Sequence, residues 1–274
     1  MPNRLGRNSN CTATHMSRSM FAATTGAKGK HAIVRPATTL VVALLVWYSV
    51  NRGASALPGA SASTGTPRTY TTHFPRAEDP LSEGGKWTNG QKDGLDWANV
   101  RTTPGLAFGT EYGGRRPAPQ KYDDSTALLA GAWGPDQTAE ATVHAVNQND
   151  KTYEEVELRL RSALSPHRAT GYEILFRSSK SASAYCEVVR WNGPLGDFTY
   201  LSRAKGSQCG VSSGDVVKAS MVGNVITAYV NGVQVLRASD DTFKSGNPGI
   251  GFYIEGATGV DGDYGFTSFT ATSR

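Results

Sequence analysis

The run Gly214–Glu255, GDVVKASMVGNVITAYVNGVQVLRASDDTFKSGNPGIGFYIE, leaves this chain few ways to fold. Over Asp215–Val222, the residues Val217, Ala219 and Met221 share one face of an extended chain, and Val216, Lys218 and Ser220 share the other. Gly223-Asn224 then reads as a two-residue hairpin. Val225–Val230 follows, with Ile226, Ala228 and Val230 alternating against Val225, Thr227 and Tyr229. Asn231-Gly232 is a second hairpin signal, because a type I′ turn needs positive φ at both central residues and these two tolerate it best. Val233–Leu236 returns. After Asn247-Pro248-Gly249, the strand Ile250–Ile254 sets Ile250, Phe252 and Ile254 on one face. An antiparallel meander is expected here.

Charge is unevenly distributed along the 274 residues. Seven of the 28 basic residues and none of the 23 acidic ones fall in residues 1–56, so the remainder carries a net charge of −2. The basic balance of the whole chain therefore belongs to its first segment and argues against a nucleic-acid partner for the folded part. Within 1–56, basic residues precede the apolar run Leu40–Val50 and then Ala54-Ser55-Ala56, the order of a secretory signal with a small-residue cleavage site. The run is shorter than the ~20 residues a helix needs to cross a bilayer. An uncleaved membrane anchor is the alternative reading, and in that case the membrane is a partner only through this segment. Residues 57–68, rich in Gly, Ala, Ser, Thr and Pro, read as a flexible linker, and residues 69–274 read as one domain.

Cys11 lies in the leader, leaving Cys186 and Cys209. Two cysteines in an exported domain are most simply a disulfide, which in the chain-entropy estimate contributes about 3 kcal/mol.

The rest of the domain repeats the period of two. Thr138–Val146 alternates Ala139, Ala141, Val143 and Ala145 against Thr138, Glu140, Thr142, His144 and Val146. Tyr153–Arg161 sets Val156, Leu158 and Leu160 against Glu155, Glu157, Arg159 and Arg161. Gly171–Arg177 sets Tyr172, Ile174 and Phe176 against Glu173, Leu175 and Arg177. Ala184–Trp191 is a further strand, turned by Asn192-Gly193 into Phe198–Leu201, and Tyr264–Thr272 closes the chain. No stretch of twelve or more residues has helical period. About a dozen short strands with turns between them predict an all-β, antiparallel two-sheet sandwich of the jelly-roll kind.

Several stretches carry a family resemblance: Phe74 on an opening strand, the loop to Trp87, GYEILFR (Gly171–Arg177), YCEVVRWNG (Tyr185–Gly193), AYVNGVQV (Ala228–Val235) and GNPGIGFYIEG (Gly246–Gly256). In this order they resemble the concanavalin A-like lectin/glucanase superfamily, which includes laminin-G-like modules, lectins, glycoside hydrolases and polysaccharide lyases. The resemblance covers residues 69–274 and implies a fold shared by binders and enzymes. Family 16 hydrolases of this fold carry Glu-x-Asp-x-x-Glu on one strand. Here Glu155 and Glu157 share a face, but Leu158, Arg159 and Leu160 follow and no carboxylate ends the motif. Alginate-lyase-like members carry Arg-x-Glu-Leu-Arg. Glu157-Leu158-Arg159 fits its end, but Glu155 replaces the first Arg and no Gln-x-His triplet occurs.

Glu155 and Glu157 therefore remain the catalytic candidates, with Glu157 the leading carboxylate. A groove on the concave sheet face, lined by Glu157, Arg159, Glu173, Arg177, Glu187, Arg190, Trp191 and Tyr253, is the candidate carbohydrate site, with rings to stack on sugars and fixed charges to bind hydroxyls. The bland alternative is an open sheet face with cross-strand Glu–Arg pairs. The loop carboxylates Asp261 and Asp263, and the pair Asp123-Asp124, are candidate ligands for a structural calcium, which the resemblance also implies; no cofactor is otherwise expected. His144 points outward from its strand. The functional expectation is a secreted, monomeric carbohydrate-binding module for polysaccharide or cell-surface glycan; the alternative is a polysaccharide-degrading enzyme of the same fold.

Overall fold

The structure is a computed structural model that describes residues 67–111, 124–146, 148, 153–255 and 261–274. The expected leader, nearly all of the expected linker and Asp123 lie outside the described residues. In chain order the strands are β1 (Arg68–Thr72), β2 (Trp87–Asn89), β3 (Val100–Thr103), β4 (Leu106–Gly109), β5 (Ser125–Leu129), β6 (Gln137–Ala145), β7 (Tyr153–Ser165), β8 (Arg168–Arg177), β9 (Tyr185–Gly193), β10 (Phe198–Lys205), β11 (Val216–Val222), β12 (Val225–Val230), β13 (Val233–Ser239), β14 (Asn247–Glu255) and β15 (Tyr264–Ser273).

These strands form two antiparallel sheets. One has eight strands in the order β13-β12-β11-β6-β15-β4-β3, with β1 also pairing β15; the other has seven in the order β10-β9-β8-β7-β14-β5-β2. The chain is thus the antiparallel β-sandwich that its alternation predicts. The core lies between the layers and is built from the apolar faces read above. Val217, Ala219, Met221, Ile226 and Ala228 come from the eight-stranded sheet, and Val156, Leu158, Leu160, Tyr172, Ile174, Phe176, Ile250, Phe252 and Ile254 from the seven-stranded one. All of these are buried. A fully buried Leu, Ile or Phe side chain contributes about 1.5–3 kcal/mol relative to an exposed one, so this core is the main source of stability.

The Asn231-Gly232 turn has positive φ at both residues, 51° and 79°, as the type I′ reading requires. At Gly223-Asn224 only Gly223 has positive φ. The turn expected at Asn192-Gly193 falls later, because β9 runs through Gly193 and the chain reverses over Pro194–Asp197, where Asp197 N–H donates to the Pro194 carbonyl. Cys186 and Cys209 form the expected disulfide, joining the buried face of β9 to the short turn Ser207–Cys209. Among the described residues, no helix is long and apolar enough to cross a membrane.

Alternation fails at one informative place. By period two, Arg161 continues the face of Glu155, Glu157 and Arg159. Instead a register shift between Leu160 and Ala163, with Arg161 at φ 44°, turns its side chain away. Its guanidinium donates to the carbonyls of Pro135, Gly223 and Phe243, tying three loops to the end of β7.

Candidate functional site

With Val156, Leu158 and Leu160 committed to the core, the pleat sends Tyr153, Glu155, Glu157 and Arg159 of β7 to the outer face of the seven-stranded sheet. Strand register places Arg177 beside Glu155 and Glu173 beside Arg159. It also sets Glu187 of β9 beside Leu175 of β8, and Arg203 of β10 beside Glu187. A groove of about 500 Å³ runs over this face. Its walls include Asp124, Glu155, Glu173, Arg177, Glu187, Trp191, Tyr200 and Tyr253.

An aromatic series runs from Trp97, which is buried and outside the groove lining, to Trp191, Phe198 and Tyr200, which line the groove. Trp97, from the loop after the turn Gly90–Gly94, meets Trp191 edge-on with ring centroids 5.9 Å apart. Trp191 lies 5.3 Å from Phe198, and Phe198 lies 5.2 Å from Tyr200. The Arg203 guanidinium, paired at 2.6 Å with Glu187, stacks 4.0 Å from the Tyr200 ring centre. Tyr200 is 45% exposed and presents its ring to solvent at the groove's edge.

Beside it lies an ionic and largely dry cluster. Arg159, 2% exposed, contacts Glu157 at 2.5 Å and Glu173 at 2.6 Å, with Asp124 at 3.6 Å. Trp191 Nε1 donates to Glu173 at 2.5 Å. Tyr185 donates its hydroxyl proton to Glu155. Room for this cluster comes from β14. Gly251 sits opposite Glu157, and a Cβ there would run into the Glu157 carboxylate and the Arg159 guanidinium.

Burial sets the protonation of these groups. Desolvation pushes Glu155 up to about 8; the Tyr185 hydrogen bond opposes the rise, and the charges of Glu173, Asp124 and Glu187 add to it. Glu157 is raised well above the carboxylate range by burial and by Glu173, against the pull of Arg159. Glu187 is raised by burial, partly offset by Arg203. Arg159 loses by desolvation and more than regains from Glu173, Glu157 and Asp124, so its pKa rises and it stays charged.

The eight residues expected to line a carbohydrate groove divide three ways. Glu173, Arg177, Glu187, Trp191 and Tyr253 line it. Glu157 and Arg159 lie on the same face but beneath its surface, with 0% and 2% exposure. Arg190 is not on this face at all: β9 neighbours alternate, so Trp191 in the groove puts Arg190 on the other side, where it pairs with Asp240 at 2.6 Å and donates to Thr242. Of the two catalytic candidates, Glu155 lines the groove and Glu157 is sealed under it. His144 is on β6 of the eight-stranded sheet. Asp261 and Asp263 form a short 3₁₀ turn before β15, where burial raises Asp261 to about 7 against the pull of Arg101.

The sequence reading missed Tyr185, Phe198, Tyr200 and Arg203. Period two from Glu187 and Trp191 finds Tyr185. Arg203 follows only once the register shift between Tyr200 and Ser202 is known. Asp124, read in the sequence only as a loop carboxylate, and Trp97 reach the face from separate loops, a placement that leaves no local signal.

No family model matches the chain, and no curated protein matches it. Several solved structures are similar to it in chain path. The β-agarase B of Zobellia galactanivorans is 11% identical, with a TM-score of 0.49 over 77% of this chain and 96% of that one. The carbohydrate-binding module CBM66 from Bacillus subtilis is 15% identical, with a TM-score of 0.44 over 71% and 96%. The Bacillus licheniformis β-glucanase is 17% identical, with a TM-score of 0.43 over 76% and 95%.

Proposed function

We propose that this is an exported glycan-binding protein that holds a polysaccharide or cell-surface glycan in the groove on the outer face of the seven-stranded sheet. The observation that carries the reading is the presence in one groove of an aromatic series, Trp191–Phe198–Tyr200, and of carboxylates held in place beside it. Sugar rings offer C–H faces that stack on aromatics and hydroxyls that donate to carboxylates, and both partners are already ordered here. The groove carboxylates accept hydrogen bonds, which suits hydroxyl-rich ligands. Export accords with the disulfide between Cys186 and Cys209. A glycan array probed with the purified domain, run beside a reducing-end assay, tests the proposal. Binding without product release is the expected result; no binding to any glycan overturns it.

One observation favours a second reading. Glu155 lines the groove with its pKa raised to about 8, so it is protonated at neutral pH, as a general acid must be. In that reading the protein hydrolyses the glycan: Glu155 donates a proton to the leaving oxygen as the glycosidic bond breaks, and water adds to the anomeric carbon and gives up its proton to solvent. Turnover that is lost in Glu155→Gln while binding persists selects it.

A further inference from the structure

We propose that Tyr200, Arg203 and Lys205, on the β10 rim of the groove, form a subsite for an acidic sugar, one that carries a carboxylate or a sulfate, so that the groove selects anionic over neutral glycans. The inference rests on the glycan-binding reading above and names the class of ligand. It begins with a bulge. In β10, Tyr200 pairs with Val189, and the next paired residue is Ser202, beside Val188, which leaves Leu201 as an extra residue. Such an insertion re-aims every side chain that follows it. Val189 packs on the groove side of its sheet and Val188 in the core. Phe198 and Tyr200 before the bulge, and Arg203 and Lys205 after it, all line the groove. In an unbulged strand Ser202 and Ala204 would take the outer positions, and Arg203 and Lys205 would point inward.

The cations this delivers are only partly used by the fold. Arg203 holds Glu187 Oε1 with Nε at 2.7 Å and Nη2 at 2.6 Å, and its side chain is 54% exposed. Among the described residues nothing bonds its Nη1. Lys205 lies about 7 Å further along the strand, beside Tyr185. It is exposed, and its ammonium has no ion-pair partner among the described residues. Glu187 supplies at most one negative charge to these two positive ones, so the rim is electropositive. The carboxyls behind it do not cancel the excess. Glu155, which accepts the Tyr185 hydroxyl, is raised by burial to about 8 and is neutral at pH 7. Burial pushes Glu157 well above the carboxylate range too.

Lysine on an edge strand also guards against pairing with another chain, but that task needs no ring beside it. Here Tyr200, 45% exposed, offers one, and the Arg203 guanidinium lies 4.0 Å from its centre. A sugar stacked on Tyr200 brings its ring substituents to the two cations on the same face. Ammonium and guanidinium groups only donate, and an anionic oxygen is their strongest acceptor. A carboxylate or sulfate on that sugar meets Arg203 Nη1 and Lys205 Nζ, while its hydroxyls face the carboxyl groups deeper in the groove.

The test is an array that carries uronic-acid, sulfated and neutral oligosaccharides, read with the purified domain at low salt, followed by calorimetry on the tightest binder. That binder is expected to be acidic, and the uronic-acid and sulfated members tell which anion the rim takes. Its affinity is expected to fall roughly tenfold in Lys205→Glu, where a like charge faces the ligand. In the native chain, a readout that needs no variant, the affinity is expected to fall about threefold or more when NaCl is raised from about 50 to 500 mM, because exposed ion pairs are screened. A neutral glycan that binds as tightly as its acidic counterpart overturns the inference and leaves the glycan-binding reading standing. An acidic binder whose affinity is unchanged by salt, or unchanged in Lys205→Glu, overturns it as well. A domain that binds no glycan at all fails the groove reading itself, and this inference with it.

Discussion

Arg159→Met removes the guanidinium that bridges the buried carboxylates and keeps most of its volume. Arg159 holds Glu157 at 2.5 Å and Glu173 at 2.6 Å, with Asp124 at 3.6 Å, all three carboxylates being essentially buried. Breaking a buried pair from one side costs about 3–5 kcal/mol, because the partner charges stay behind without compensation. The cost must depend on pH. Without Arg159 the carboxyls take up protons at still higher pH in the folded state, while unfolded they titrate near the ordinary value of 4.5. Between about pH 5 and 8 the folded variant therefore binds more protons than the unfolded chain, and its stability falls as pH rises, more steeply than that of the parent. Urea unfolding at pH 5 and pH 8, in EDTA, measures this. The expected penalty is about 3–5 kcal/mol at pH 8 and roughly half of that at pH 5. A penalty below 1 kcal/mol, or one that is the same at both pH values, would refute the ionic account of the cluster.

Other outcomes follow from the same geometry. The unmodified domain is expected to lose stability as pH rises from about 5 to 8, because Glu155, raised to about 8, and Glu154, raised to about 7, hold protons in the folded state that the unfolded chain has released. Thermal melts across that range check this, and a Tm that rises with pH contradicts it. Gly251→Ala is expected to cost about 2 kcal/mol or more, since its Cβ meets the Glu157 carboxylate and Arg159; denaturant midpoints decide it. Glu157→Gln in the same chain should recover little, because an amide fills the same space. Reducing the Cys186–Cys209 bridge, whose partners are 23 residues apart, is expected to lower stability by about 3 kcal/mol. Melting with and without dithiothreitol reads that directly.

The fold was legible because most long strands carry a run of alternating apolar residues on one face. Val156, Leu158 and Leu160, or Ile250, Phe252 and Ile254, admit one orientation, and a register slip of one residue would bury ions instead. The site was legible only where the same period applied. It set Glu155, Glu157, Arg159, Glu173 and Arg177 on one face, but choosing both Arg190 and Trp191 broke the rule, and the structure sends Arg190 to the loop of Asp240 and Thr242. Depth was not legible. Nothing local to Glu157 says that Gly251 opposite, Asp124 from one loop and Trp97 from another close over this face. Such closure is a tertiary property, and it turned a row of apparently solvated charges into a dry ionic cluster with an aromatic wall beside it.

The most direct test of the account is the affinity of the domain for a glycan identified on the array, measured by calorimetry for the native chain and for Tyr200→Ala. Tyr200 is exposed on the groove wall and lies outside both the core and the ionic cluster, so its loss leaves the fold intact. The account predicts binding that weakens about tenfold, or about 1.4 kcal/mol, in the variant. A native chain that binds no glycan, or a variant that binds as tightly as the native chain, contradicts it.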